Sequence, residues 1–70
     1  MLKVNFEEKN LNVEVTQDAY ISHQSWSSEP NNWVAINGNI DGKDCKLLYK
    51  WDGEQELESI DYSKPYDIEF

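Results

Sequence analysis

Apolar and polar residues alternate at the start of the chain with the period of two that is typical of a half-buried β-strand. The alternation runs through residues 2–6 and returns in residues 11–16, with a polar stretch at residues 8–10 between them. That stretch is predicted to be a turn. We therefore predict an amino-terminal β-hairpin, with residues 18–21 either extending its second strand or starting another.

The clearest turn signal in the chain is Asp41-Gly42, a dipeptide suited to a two-residue hairpin turn between residues 33–40 and 43–51. A tip at this dipeptide gathers apolar residues on one face of the hairpin, and a register wrong by one residue would scatter them. The residues of that face are Val34, Ile36, Gly38, Cys45, Leu47 and Tyr49.

Two features of this second hairpin leave alternatives open. Asn37-Gly38 is a competing tip, but it would leave Ile40 without a partner and shorten the first arm. The opposite face is mixed, and the apolar residues Trp33 and Leu48 on it suggest that something partly covers it.

The remaining segments are less regular. Residues 22–32 contain turn-forming residues and little periodicity, which predicts a loop. Residues 54–62 fit either a short helical turn or an irregular edge strand. The helical turn would have a capping-box-like start at Asp52 and Gln55, with Leu57 and Ile60 on one face. Residues 66–70 alternate again and predict a closing strand that is docked on the sheet.

These patterns predict one domain spanning residues 1–70, since the chain is too short for two. The expected fold is mostly β, an antiparallel sheet or partly closed barrel of about four to six strands with at most one short helical turn. An exposed edge strand of such a sheet is compatible with dimerisation.

Charge narrows the range of partners. The chain contains fourteen acidic residues and six basic ones, all of them lysine, so its net charge is −8. Phosphate binding needs clustered Lys and Arg, so nucleic acid and anionic membranes are not expected as direct partners. The sequence has no apolar run that could cross a membrane and no signal-peptide pattern, so we expect a cytoplasmic protein.

Catalytic and metal-binding patterns are weak, and we expect neither an enzyme nor a metal or cofactor site. His23 lies among serines, but no separate acidic partner marks a nucleophile. Cys45 is the only cysteine and falls on the predicted apolar face, which favours a buried hydrophobic role. The carboxylates near Asp41-Gly42 lack the ligand spacing of a calcium loop.

The acidic carboxyl-terminal part is the leading candidate site. Seven of the last nineteen residues are acidic, opposed only by Lys64. The seven are Asp52, Glu54, Glu56, Glu58, Asp61, Asp67 and Glu69. On a strand, alternate carboxylates would stand about 6.8 Å apart, and the phosphates of one nucleic-acid strand repeat about every 3.4 Å. We therefore predict a charge mimic that occludes the nucleic-acid-binding site of a basic partner protein.

Three other interpretations remain beside mimicry. The acidic residues could form a solvated face that only keeps the chain soluble. The chain could be a less specific acidic adaptor or immunity-type interaction module. Trp26, in the middle of the predicted loop, could instead bind a ligand or anchor a partner. Phage-encoded inhibitors of restriction or CRISPR enzymes offer an analogy of charge and size to the mimic.

Overall fold

The computed structural model describes residues 1–22 and 33–70, and in this part of the chain five strands form one antiparallel sheet. Each strand pairs with the next along the chain, and the sheet curls into a half-barrel. The predicted mostly β fold is confirmed. The strands are β1 (Leu2–Phe6), β2 (Lys9–Ser22), β3 (Trp33–Ile40), β4 (Lys43–Lys50) and β5 (Asp67–Glu69).

The hairpin of β3 and β4 has the predicted tip and register. Val34 lies opposite Tyr49 and Ile36 lies opposite Leu47, with Asp41-Gly42 as the turn. Gly42 has a φ of 86° and Asp41 a φ of 51°, and a tight two-residue hairpin turn favours this backbone region. The competing tip at Asn37-Gly38 is wrong, because both residues are paired within β3.

The core fills the inside of the half-barrel. Strands β1 to β5 all contribute to it, because the alternating apolar residues of each strand point to the same side of the sheet. Burying these side chains is the main source of stability in so small a domain. The buried cluster consists of Val4, Val13, Val34, Ile36, Ile40, Cys45, Leu47, Tyr49 and Ile68.

The opposite face of β3 and β4 is also covered in part, as its composition predicted. Trp33, Ala35 and Leu48 are buried although they point away from the core cluster. The ring of Tyr66 lies 5.1 Å from that of Trp33, and the Lys50 ammonium lies 4.3 Å from the centre of the Tyr66 ring. The carboxyl-terminal segment thus protects an apolar patch on the outside of the sheet.

The turn between β1 and β2 lies earlier than predicted. Residues 8–10 were expected to form it, but the turn is Glu7-Glu8, and Phe6 pairs directly with Lys9. Glu7 and Glu8 both have positive φ, 51° and 66°. Such a turn favours Asn and Gly, so the sequence gives no local signal for it, and strand pairing imposes it.

Replacing Glu7 by Asn and Glu8 by Gly is expected to stabilise the fold by about 1–2 kcal/mol, because both residues occupy the left-handed region that L side chains disfavour. Urea unfolding measures the change. The variant Glu7→Gln/Glu8→Gln removes the same two charges without relieving the turn. If it gains as much stability, charge relief and not backbone strain is the cause.

Strand β2 is longer than the predicted second strand. It includes residues 18–21 and Ser22, so the first alternative for those residues is confirmed. Its pairing with β3 shifts between Val15 and Gln17 and again between Gln17 and Tyr20. Such irregularities increase strand bending and so contribute to the curl of the sheet. The rest of the predicted loop, residues 23–32 with His23 and Trp26, lies outside the described residues.

The segment after β4 runs back across the open side of the half-barrel before it forms β5. On the way, the Ser63 carbonyl accepts a hydrogen bond from the Asn5 amide of β1 at 2.7 Å. Strand β5 then pairs with β4 as predicted, and Ile68 is buried. Phe70, expected to dock beside it, is instead 77% exposed.

No helix among the described residues has the length and apolar character needed to span a membrane.

Candidate functional site

The strongest concentration of charge lies in the connection between β4 and β5. Residues 52–61, here called the acidic loop, contain five carboxylates and no basic residue. A short helical turn and an irregular edge strand were the two alternatives predicted for residues 54–62. One 3-10 turn, Leu57–Ser59, is the regular element of this loop. The prediction of a short helical turn is therefore confirmed, and that of a strand is wrong.

Hydrogen bonds within the acidic loop give it a defined shape. The Trp51 indole N–H donates to the Gln55 carbonyl at 2.7 Å, and the Gln55 side-chain amide donates to the Ser59 carbonyl at 3.2 Å. The Ser59 hydroxyl donates to the Glu56 carbonyl at 2.8 Å. Side chains of Trp51, just before the loop, and of Gln55 and Ser59 within it therefore satisfy main-chain carbonyl groups that no sheet or long helix satisfies.

Apolar contacts attach the acidic loop to the core. Leu57 and Ile60 pack against the core cluster, which confirms the prediction that they share a face. Tyr62, just after the loop, stacks edge to face on Tyr49, and the Tyr49 hydroxyl donates to the Tyr62 carbonyl at 2.9 Å. Burial raises the pKa of both tyrosines, so both hydroxyls remain protonated donors.

Asp52 and Asp61 use their carboxylates inside the loop. Asp52 Oδ1 accepts the amide N–H groups of Glu54 at 2.8 Å and Gln55 at 2.9 Å. Asp61 Oδ1 accepts the hydroxyl and the amide of Ser63. These hydrogen bonds favour the charged form and lower the pKa of each carboxyl below its usual value. The two residues thus shape the loop at its two ends.

Acidification should therefore release the Asp52 turn only below the ordinary carboxyl pKa of 3.8. A group whose pKa is lowered in the folded state stabilises it above the unfolded pKa, and that stabilisation is lost as the pH falls through the folded pKa. The amide proton shifts of Glu54 and Gln55 should follow this titration in NMR spectra. Asp52→Asn keeps an oxygen acceptor but cannot titrate, so the pH dependence of these two amide shifts should disappear. A midpoint at or above 3.8 would contradict the assignment.

The three glutamates that lie between Asp52 and Asp61 in sequence do not bond within the loop. Glu54, Glu56 and Glu58 are exposed, and their side chains make no hydrogen bond or ion pair with any other residue in the ranges 1–22 and 33–70. Because no strand forms here, the predicted row of carboxylates at regular spacing along a strand is wrong. What remains is a cluster of unneutralised charge on a structured loop.

The structure separates the last two acidic residues of the predicted patch from the others. Ile68 points into the core, so its neighbours Asp67 and Glu69 point to the opposite, outer face of the sheet. There Glu69 lies opposite Lys46 of β4, and both Asp67 and Glu69 are half-buried. The acidic loop packs on the inner side of the half-barrel through Leu57 and Ile60. The seven carboxylates therefore do not form one surface.

The remaining candidate residues are Trp26, His23 and Cys45. Trp26 and His23 lie outside the described residues. Cys45 is buried as expected, and burial, with the charge of Asp44, raises the pKa of its thiol. Within the described ranges, no three His, Cys, Asp or Glu residues are grouped so as to hold a metal ion.

Sequence reasoning named Asp52 and Gln55 but missed the other residues that hold the loop in shape, chiefly Trp51, Ser59 and Tyr62. The Asp-x-Ser spacing of Asp61 and Ser63 was a usable signal, because such pairs commonly close a turn with a side-chain hydrogen bond. The contact between Tyr49 and Tyr62 has no comparable signal in the local sequence, because the two residues lie far apart along the chain.

Comparison with known protein families, with curated proteins and with solved structures gave no match to this chain.

Proposed function

We propose that this chain is a small acidic inhibitor that binds a basic, nucleic-acid-binding protein and occludes its nucleic-acid site. The acidic loop is the proposed contact surface, with Glu54, Glu56 and Glu58 facing the partner. The role is one of binding, without catalysis, metal or cofactor. Inhibitors that phages direct against restriction or CRISPR enzymes remain the functional analogy.

The observation that carries the proposal is the state of these three glutamates. They are exposed, and no residue in the described part of the chain neutralises them. Carboxylates that only keep a protein soluble need no fixed backbone beneath them. Here the backbone is held by hydrogen bonds from Trp51, Gln55 and Ser59. A preorganised charged surface loses less conformational entropy on binding, which favours a recognition role.

The net charge of −8 supports the same proposal at longer range. A negative field attracts a positively charged groove and speeds encounter, and salt weakens this attraction. The phosphate-like arrangement must then come from the irregular loop itself, because residues 1–22 and 33–70 form no strand with a row of carboxylates. Asp67 and Glu69 are not part of the proposed surface.

Affinity capture from a cell lysate tests the proposal, with the tagged chain as bait and mass spectrometry as the readout. We expect a basic nucleic-acid-binding protein that elutes at high salt or when duplex or single-stranded nucleic acid is added. Bait that carries Glu54→Lys, Glu56→Lys and Glu58→Lys is the negative control and should not capture this protein.

A captured partner that survives both high salt and added nucleic acid would contradict occlusion by charge. Repeating the capture with Trp26→Ala then separates two remaining possibilities. Loss of the partner would favour the aromatic-loop binding module, and retention would favour the acidic adaptor.

A further inference from the structure

In the part of the chain that the structure describes, the half-barrel is an open sheet whose two edges are β1 and β5. An edge strand presents unpaired N–H and C=O groups that can recruit a strand from another molecule. At β1, the outward amide of Asn5 donates to the Ser63 carbonyl at 2.7 Å. One potential docking group of that edge is therefore already engaged by the chain itself.

At β5, the register identifies which main-chain groups point outward. The Leu48 carbonyl accepts the Tyr66 amide at 2.6 Å, so the main-chain groups of Leu48 are directed toward β5. Successive residues of a strand direct these groups to opposite sides, so those of Leu47 face β3. Ile68 lies opposite Leu47, and its N–H therefore points away from the sheet, toward the free edge.

That outward N–H is not left open. It donates to Oδ1 of Asp67 at 2.9 Å, within the same strand. An added strand would need this N–H as a donor, and it would also meet the negative charge of the carboxylate. Phe70, 77% exposed just beyond β5, would otherwise offer apolar contact to such a strand.

We infer that Asp67 is an edge-blocking residue, whose carboxylate occupies the outward amide of Ile68 and keeps β5 from pairing with a second copy of this chain. This role is independent of the proposed partner binding. It also gives Asp67 a structural function in place of the recognition function predicted from sequence.

Substitution at Asp67, followed by sedimentation velocity over a concentration series, tests the inference. Asp67→Ala removes the acceptor and the charge and is expected to self-associate, with a dissociation constant at least about tenfold lower than that of the wild type. Asp67→Asn keeps an oxygen acceptor without the charge. Glu69→Ala removes a charge from the same strand but leaves the hydrogen bond between the Ile68 amide and Asp67 intact. Both should remain as monomeric as the wild type.

Amide hydrogen exchange at Ile68 gives a second readout. After correction for intrinsic rates, Asp67→Ala should exchange about fivefold faster than the wild type at this one amide, the equivalent of one net hydrogen bond. Should alanine weaken the fold, Asp67→Val repeats the test, because Val lacks the acceptor and favours a strand. A monomeric Asp67→Ala, an unchanged Ile68 amide, or equal self-association of Glu69→Ala would each overturn the inference.

Discussion

Reversing the charge of Glu54, Glu56 and Glu58 to lysine is expected to weaken binding to the captured partner by about a hundredfold or more. Charge pairs that come close across an interface commonly contribute between one and several kcal/mol each, and reversal adds repulsion to the loss of attraction. The fold should be unaffected, because all three side chains are exposed and none forms a hydrogen bond or ion pair within the described part of the chain. Isothermal calorimetry measures the affinity, and circular dichroism confirms the fold.

A matched variant distinguishes the effect of charge on the acidic loop from the effect of the net charge of the whole protein. Glu7→Lys, Glu8→Lys and Glu14→Lys change the net charge by the same amount at three exposed positions of the amino-terminal hairpin. We expect this variant to lose only the part of the affinity that comes from long-range steering. If both triple variants bind equally, whether strongly or weakly, the acidic loop has no special role and the field of the whole protein explains the interaction.

Replacing Gly38 by alanine is expected to destabilise the fold by about 2–3 kcal/mol, a large share of the total stability of so small a domain. A Cβ at this position would lie 2.6 Å from Cγ1 of Val13 and 2.9 Å from the Glu14 carbonyl oxygen. The second contact is with backbone, so no side-chain rotation relieves it. Strands β2 and β3 would have to separate where they cross the core.

The control for this substitution is Gly42→Asn at the hairpin tip. A Cβ on Gly42 meets nothing within 4 Å, and Asn tolerates the positive φ of 86° better than other residues with a side chain. Urea unfolding should therefore show a loss of less than about 1 kcal/mol. If Gly38→Ala costs no more than Gly42→Asn, the close approach of β2 to β3 is not what requires the glycine.

The hairpin of β3 and β4 was predictable because two signals agreed. Asp41-Gly42 fits a two-residue turn, and the alternation on both arms permits one register only. The first hairpin had the alternation without the turn signal, so its tip was misplaced at residues 8–10. Pairing of Phe6 with Lys9 overrides the poor turn preference of Glu7-Glu8. Strand pairing is the stronger determinant of that structure.

The candidate site was predictable in composition but not in shape. Residues 54–62 carry no dominant period, and their conformation is decided by the contacts of Leu57 and Ile60 with the distant core. The local capping by Asp52 was foreseen, yet Gly53 follows with a φ of 87° and no regular helix starts there. Tertiary contacts of this kind have no signature in a local pattern.

The separation of Asp67 and Glu69 from the acidic loop, in contrast, could have been deduced. The closing strand was predicted to bury Ile68, and alternation then places its two acidic neighbours on the outer face. The acidic residues are close in sequence, but strand alternation places Asp67 and Glu69 on a different surface from the acidic loop.

Under the proposed function, this chain and nucleic acid compete for one site on a partner protein. Fluorescence anisotropy of a labelled oligonucleotide bound to the captured partner tests it most directly, with the unlabelled chain as titrant. We expect full displacement, with an apparent oligonucleotide Kd that rises in proportion to the concentration of the chain. An oligonucleotide that remains bound at saturating chain, in a ternary complex, would contradict it.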